Sequence, residues 1–191
     1  HLAGQDFERE QPNLRGLPWW NETAPLVYPH LDSAQSALLQ SELAYQNHIA
    51  ASAEYQALPR GPVHADLFRD NAIFEGEKLS GCFDFYFAGV DTWLFDLCVC
   101  LNDWAITHAD GLHEPQRAQA LLDAYQAVRP LTAAERQLLP AMARAAALRY
   151  WISRLWDFYL PRQASMLTPH DPTHMERVLR GRYQQPLVLA A

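Results

Sequence analysis

Lysine is almost absent from this 191-residue chain: of its 15 basic residues, only Lys78 is not an arginine. A search for a lysine that grips phosphate thus has one candidate, and it falls in Glu75-Gly76-Glu77-Lys78, a stretch of turn composition. Glycine is sparse as well. None of the eight glycines stands two residues from another, so the chain holds no G-x-G loop of the kind that covers nucleotide phosphates. Cys82, Cys98 and Cys100 are odd in number and form no C-x-x-C pair, which argues against a disulfide framework or a zinc ribbon and fits a reducing cytoplasm. Cys98 and Cys100 lie two apart on an expected helix, where they point to different faces and serve as small buried hydrophobes. No apolar run approaches the ~18 residues of a membrane span, so no membrane partner is expected. A basic stripe is also missing. With a formal net charge of -7, the chain is not expected to bind the phosphate backbone of nucleic acid.

What is present is enough apolar material, 49% of the residues, to bury one sizeable core. Residues 1–31 carry Pro12, Pro18, Pro25 and Pro29 and read as an extended arm or linker, pinned to something apolar by Trp19-Trp20. Residues 32–191 read as a mainly helical lobe. Asp32 with Gln35, and Thr132 with Glu135, have the spacing of capping boxes that open helices. Asp91 or Thr92 is expected to cap a helix striped by Leu94, Leu97, Cys98 and Leu101, and Pro115 to Val128 forms the next. Pro140 should restart or kink the long helix that follows, and Asp171-Pro172 should open a last helix closed near Gly181. Between the helices, Ala72 to Phe74 and Leu79 to Phe87 predict a hairpin with Asn71 on one arm and Asp84 on the other. The expected class is α+β, mainly α, with a small hairpin.

The chemistry concentrates in His64-Ala65-Asp66-Leu67-Phe68-Arg69-Asp70-Asn71 and in Asp84, set in Cys82-Phe83-Asp84-Phe85. Transfer of a phosphoryl group to an alcohol needs a carboxylate to orient the hydroxyl or accept its proton, and oxygen ligands for Mg²⁺ on the ATP phosphates. Asp66, Asn71 and Asp84 match those needs: a tight loop presents Asp66, Asn71 begins the strand that leaves it, and the hairpin returns Asp84 beside Asn71. One amide oxygen, one carboxylate and phosphates make a reasonable Mg²⁺ set. His64 stands with Asp66 among the catalytic candidates, with hydrogen-bond support of the loop weighed ahead of acid–base work. Arg69 and Asp70 are divided between a local ion pair and substrate contact. Arg149 and Arg154 are candidates to hold the carboxylate of a small zwitterion, a task suited to planar guanidinium groups. The competing reading is a loop whose polar side chains only cap backbone groups. His170 and His174 are four apart but separated by a helix start, and are not expected to bind metal.

The H-x-D-x-x-x-x-N pattern with a downstream Asp resembles the catalytic loop and metal-binding aspartate of the aminoglycoside-phosphotransferase superfamily of protein-kinase-like enzymes. The wording from His64 to Asn71, the run Phe83-Asp84-Phe85-Tyr86-Phe87-Ala88, and Gln11 to Trp20 resemble the homoserine kinases of that superfamily. The resemblance implies the C-terminal lobe of a protein-kinase-like fold, with Asp66 as base, Asn71 and Asp84 as Mg²⁺ and nucleotide ligands, and Asp96 as the helix aspartate that braces the loop. It also implies ATP as cofactor and L-homoserine as acceptor, in a cytoplasmic step of threonine biosynthesis. Other small alcohols, aminoglycoside-like or choline-like, and a non-catalytic kinase-like module are the alternatives. The family's small lobe, with its phosphate lid and lysine–glutamate pair, has no counterpart in these residues. The N-terminal lobe is therefore expected to be a missing partner, the chain alone to be inactive, and its bared apolar face to favour self-association.

Overall fold

The computed structural model describes residues 1–160 and 169–189. The chain enters through α1 (Leu17–Val27), where an extended arm was expected. The prolines misled because Pro18 sits in the first turn, where a missing N–H costs nothing, and Pro25 comes only in the last. Between them Trp20, Thr23, Ala24 and Val27 form a buried stripe at helical spacing. The Trp pair does pin this segment: Trp20 is buried and Trp19 meets Trp156 edge-on, ring centroids 5.9 Å apart.

Next come α2 (Ser33–Ala50), opened by the Asp32/Gln35 capping box, and the short α3 (Ala53–Gln56). Four brief strands follow, β1 (Arg60–Val63), β2 (Ala72–Glu75), β3 (Lys78–Cys82) and β4 (Gly89–Thr92). They make two antiparallel pairs, β1 with β4 and β2 with β3. The β2–β3 hairpin was anticipated, but β3 stops at Cys82 and not near Phe87. Asp84 adopts a left-handed backbone, φ 63°, which ends the strand, and Phe85–Phe87 form a 3₁₀ turn.

Helices close the chain: α4 (Trp93–Trp104), capped by Thr92; α5 (Pro115–Val128); α6 (Ala133–Tyr159); and α7 (Thr173–Gln184). α6 is the axis of the fold, with α4 and α7 as its main neighbours and α1 and α2 packed beside them. It runs unbroken through Pro140, and its face of Leu139, Ala143, Leu148, Trp151, Ile152 and Leu155 is fully buried. Packing of this size outweighs the one backbone hydrogen bond the proline forfeits. α7 likewise does not close at Gly181. That glycine admits a neighbour rather than ending the helix, since a Cβ there would sit 3.0 Å from Leu112 Cδ2. Beyond it, buried Arg182 donates from Nε to Asn102 of α4 at 2.8 Å and from Nη2 to the Gly111 carbonyl at 3.0 Å. No helix among the described residues is long and apolar enough to cross a membrane.

Candidate active site

β1 ends at Val63 and releases the loop from His64 to Asn71, whose shape is held from α4. Asp96, in the first turn of α4, accepts the backbone N–H groups of His64 at 3.2 Å and Ala65 at 2.7 Å. Ala65 needs that restraint, because its φ of 61° is a left-handed conformation that non-glycine residues rarely adopt. Trp104, also on α4, donates its indole N–H to the Leu67 carbonyl at 3.0 Å. The loop is thus clamped at both ends of its tight section.

Asp66 projects from this section and is fixed from two sides. The Tyr150 hydroxyl of α6 lies 2.7 Å from both Asp66 Oδ1 and the Ala65 carbonyl, a shared donor. Asn71 donates its side-chain N–H to the Asp66 carbonyl at 2.8 Å, which orients the amide and leaves its oxygen as a ligand. Arg149 Nη1 is 3.8 Å from Asp66 Oδ1. Burial pushes the Asp66 carboxyl above its ordinary pKa, opposed first by Arg149 and then by the Tyr150 hydrogen bond, with nearby Asp84 adding to the rise. Tyr150 is held neutral by burial, so it stays a donor.

Asp84 arrives on the far side of the hairpin. Ala72 pairs with Cys82 and the Phe83 N–H donates to the Asn71 carbonyl at 3.1 Å, so the left-handed residue that follows is delivered beside Asn71. Asp66, Asn71 and Asp84 line one cleft of about 360 Å³, faced from α6 by Arg149, Ser153 and Arg154. Among the described residues no group of three or more His, Cys, Asp or Glu could hold a metal by itself. A divalent ion here would use the Asn71 amide and Asp84 carboxylate oxygens and take its remaining ligands from phosphate and water.

The other predicted residues divide. Asp70 and Arg154 line the cleft. Arg69 does not line it, nor does it pair with Asp70: its backbone N–H and its guanidinium Nε both reach Asp103 of α4, at 2.8 and 3.1 Å, and its guanidinium also meets His108. His64 supports the loop and does not line this cleft. Its Nε2 is 2.9 Å from the Phe83 carbonyl, which ties this loop to the segment bearing Asp84. A larger apolar cavity of about 560 Å³ is lined in part by His64, yet Asp66, Asn71 and Asp84 are not on its wall, so the candidate residues gather on the smaller cleft. Tyr150 and Arg15 are site residues that the sequence reading missed. Tyr150 lies in the long helix expected after Pro140, where no motif marks it, and Arg15 lay in the presumed linker.

The profile of the phosphotransferase enzyme family matches residues 1–131, which include the whole loop from His64 to Asn71 and Asp84. The chain belongs to this family. Among relatives of the phosphotransferase chain, "Homoserine kinase" of Polaromonas naphthalenivorans is 63% identical over 189 residues, covering 99% of this chain and 60% of the relative. "Homoserine kinase" of Cupriavidus necator is 60% identical over 187 residues, 95% of this chain and 56% of the relative. The chain therefore spans about 60% of the length of these relatives. The fold is also that of a solved amicoumacin kinase complex with AMP-PNP, Ca²⁺ and its "Ami" ligand, at TM-score 0.61, 17% identity, and coverage of 98% of this chain and 56% of that one. A Plasmodium vivax ethanolamine kinase shares it too, at TM-score 0.58, 13% identity, and coverage of 90% and 50%.

Proposed function

We propose that the protein carrying this chain is an ATP-dependent kinase that phosphorylates the side-chain hydroxyl of L-homoserine, and that this chain is its catalytic lobe. The observation that carries the reading is the convergence of Asp66, Asn71 and Asp84 on one cleft, with Asp66 oriented by Tyr150 and Asn71. The name shared by relatives 63% and 60% identical to the chain supplies the acceptor.

In this mechanism the acceptor hydroxyl donates a hydrogen bond to Asp66. Its oxygen then forms a bond to the γ-phosphorus as the bond to the ADP oxygen breaks, and its proton passes to the Asp66 carboxylate. Burial favours that transfer by making Asp66 a stronger base than an exposed carboxylate, while Arg149 keeps enough of it ionised to act. Asn71 and Asp84 are the residues that would hold Mg²⁺. The ion would neutralise charge on the phosphates. The small lobe that covers the phosphates is assigned to the rest of the protein. The β2–β3 hairpin and the turn after it expose Phe74, Leu79, Phe83, Phe85 and Tyr86, an apolar face suited to meeting it. The three free cysteines suit a cytoplasmic enzyme.

The test is ADP formation by the full-length protein against a panel of L-homoserine, ethanolamine, choline and an aminoglycoside. The highest kcat/KM is expected for L-homoserine. Preference for another alcohol would refute the acceptor, and absence of turnover on the whole panel would refute the proposed activity.

A further inference from the structure

We propose that Arg154 reads the carboxylate of the acceptor and so restricts the cleft to small alcohols that carry one; this deepens the kinase reading and rests on it. Arg154 sits half-buried on α6 and lines the same cleft as Asp66, Asn71 and Asp84. Its guanidinium makes no hydrogen bond or ion pair with any described residue, and none of its nitrogens is shut off from solvent. The N–H fork is therefore open to a ligand. Burial lowers its pKa, opposed by the more distant field of Tyr150, Asp103 and Asp171, none of which is hydrogen-bonded to it. A cation partly withdrawn from water with no anion beside it is half of an ion pair, and an incoming carboxylate supplies the other half.

Its distance from the proposed base follows from helix geometry. Tyr150 stands four residues earlier on α6, and its hydroxyl is 2.7 Å from Asp66 Oδ1. Residues four apart share a helix face and are separated by one turn, about 6 Å at ~1.5 Å of rise per residue. Helical side chains lean toward the N-terminus, so that of Arg154 leans back toward Tyr150. In an extended four-carbon hydroxy acid the hydroxyl and carboxylate are roughly 5 to 6 Å apart, given ~1.5 Å carbon–carbon bonds. An acceptor whose hydroxyl meets Asp66 thus spans one turn of α6 with its carboxylate at the Arg154 end.

The other arginines are committed elsewhere. Arg149 is 2% exposed, its Nε and Nη2 are out of reach of solvent, and its Nη1 faces Asp66, so its fork is not presented to a ligand. Arg15 is stacked on Trp19 and Trp156, its guanidinium carbon 4.0 and 4.7 Å from their centroids, and its Nη1 is buried. Arg69 is held by Asp103 and does not line the cleft. Without a cation at the other end, a carboxylate entering beside Asp66, Asp70 and Asp84 would be repelled.

The experiment compares L-homoserine with 3-aminopropan-1-ol, the same alcohol without its carboxylate, in the full-length protein. Arg154→Met should raise the KM for L-homoserine by ~10-fold or more, the scale of losing hydrogen bonds to a charged group, with the KM for ATP unmoved. The ratio of kcat/KM between the two alcohols should collapse with it. Arg154→Lys, which keeps the charge but loses the planar fork, should lower the ratio by a smaller factor. Equal losses on both alcohols, or an unmoved KM for L-homoserine, would overturn the proposal while leaving the kinase reading intact. Should Arg154→Met fail to fold, Arg154→Lys decides alone, and an unchanged ratio there overturns the proposal. If the unaltered protein phosphorylates neither alcohol, the kinase reading fails, and calorimetric titration with L-homoserine decides this proposal: binding lost in Arg154→Met upholds it, and unchanged or absent binding overturns it.

Discussion

Asp66 carries opposing influences that can be separated by mutation. Burial raises its pKa, whereas Arg149 and the Tyr150 hydroxyl lower it. A base works only when ionised, so kcat/KM should fall on the acid side with a midpoint above the ordinary aspartate pKa. Arg149→Met removes a cation that favours the ionised form, and Tyr150→Phe removes a hydrogen bond that does the same. Both should move the acid limb to higher pH in the full-length protein, Arg149→Met further because its influence ranks first. A limb that stays put, or moves to lower pH, would contradict the assignment of Asp66. At this scale the sequence was most informative where the site is local. Asp66 and Asn71 share one loop, and Asp84 is brought back by one hairpin, so a linear motif could reveal all three. Tyr150 comes from a segment far along the chain and meets Asp66 only through packing, as Arg15 reaches the wall of the same cleft, and no local pattern marks such a meeting.

The elements show the same division between local rule and tertiary override. The capping boxes at Asp32/Gln35 and Thr132/Glu135 formed as read, because each closes its hydrogen bonds within four residues. α1 was hidden by its prolines, and the β1–β4 pair by its shortness and by Pro62, although their pairing sets the positions of both the catalytic loop and the arm that carries Arg15. α6 supplies Arg149, Tyr150 and Ser153 to the cleft, so its anchoring matters to the site. Its N-terminal turn holds Glu135, fully buried, which pairs with Arg129 and accepts the Thr132 backbone N–H at 2.8 Å. Glu135→Ala would leave Arg129 buried without its partner and break the capping box. A loss of about 3 to 5 kcal/mol in unfolding free energy is expected by chemical denaturation. A loss below ~1 kcal/mol would mean that the pair is solvated or replaceable.

Under the proposed function, the whole molecule would divide its tasks between this lobe and a part that lies outside these residues. The proposed base and Mg²⁺ ligands lie here, while no G-x-G loop occurs in the sequence and its one lysine, Lys78, begins β3 at the hairpin turn. The loop and the hairpin that bring Asp66, Asn71 and Asp84 to one cleft could be read from the sequence because they are written in one contiguous region. Which residues face this cleft from α6 could not, since α6 meets the loop only through packing. The account stands or falls on the separation of base from nucleotide site, and one comparison tests it: turnover and nucleotide affinity in the full-length protein for Asp66→Asn beside Asp84→Asn. Asp66→Asn should cut kcat by roughly 10²-fold or more, the scale of general-base loss, while ADP and ATP bind with nearly unchanged affinity. Asp84→Asn should weaken Mg²⁺-dependent nucleotide binding. Retained turnover in Asp66→Asn, or the same loss of nucleotide binding in both variants with no separate effect on kcat, would contradict it.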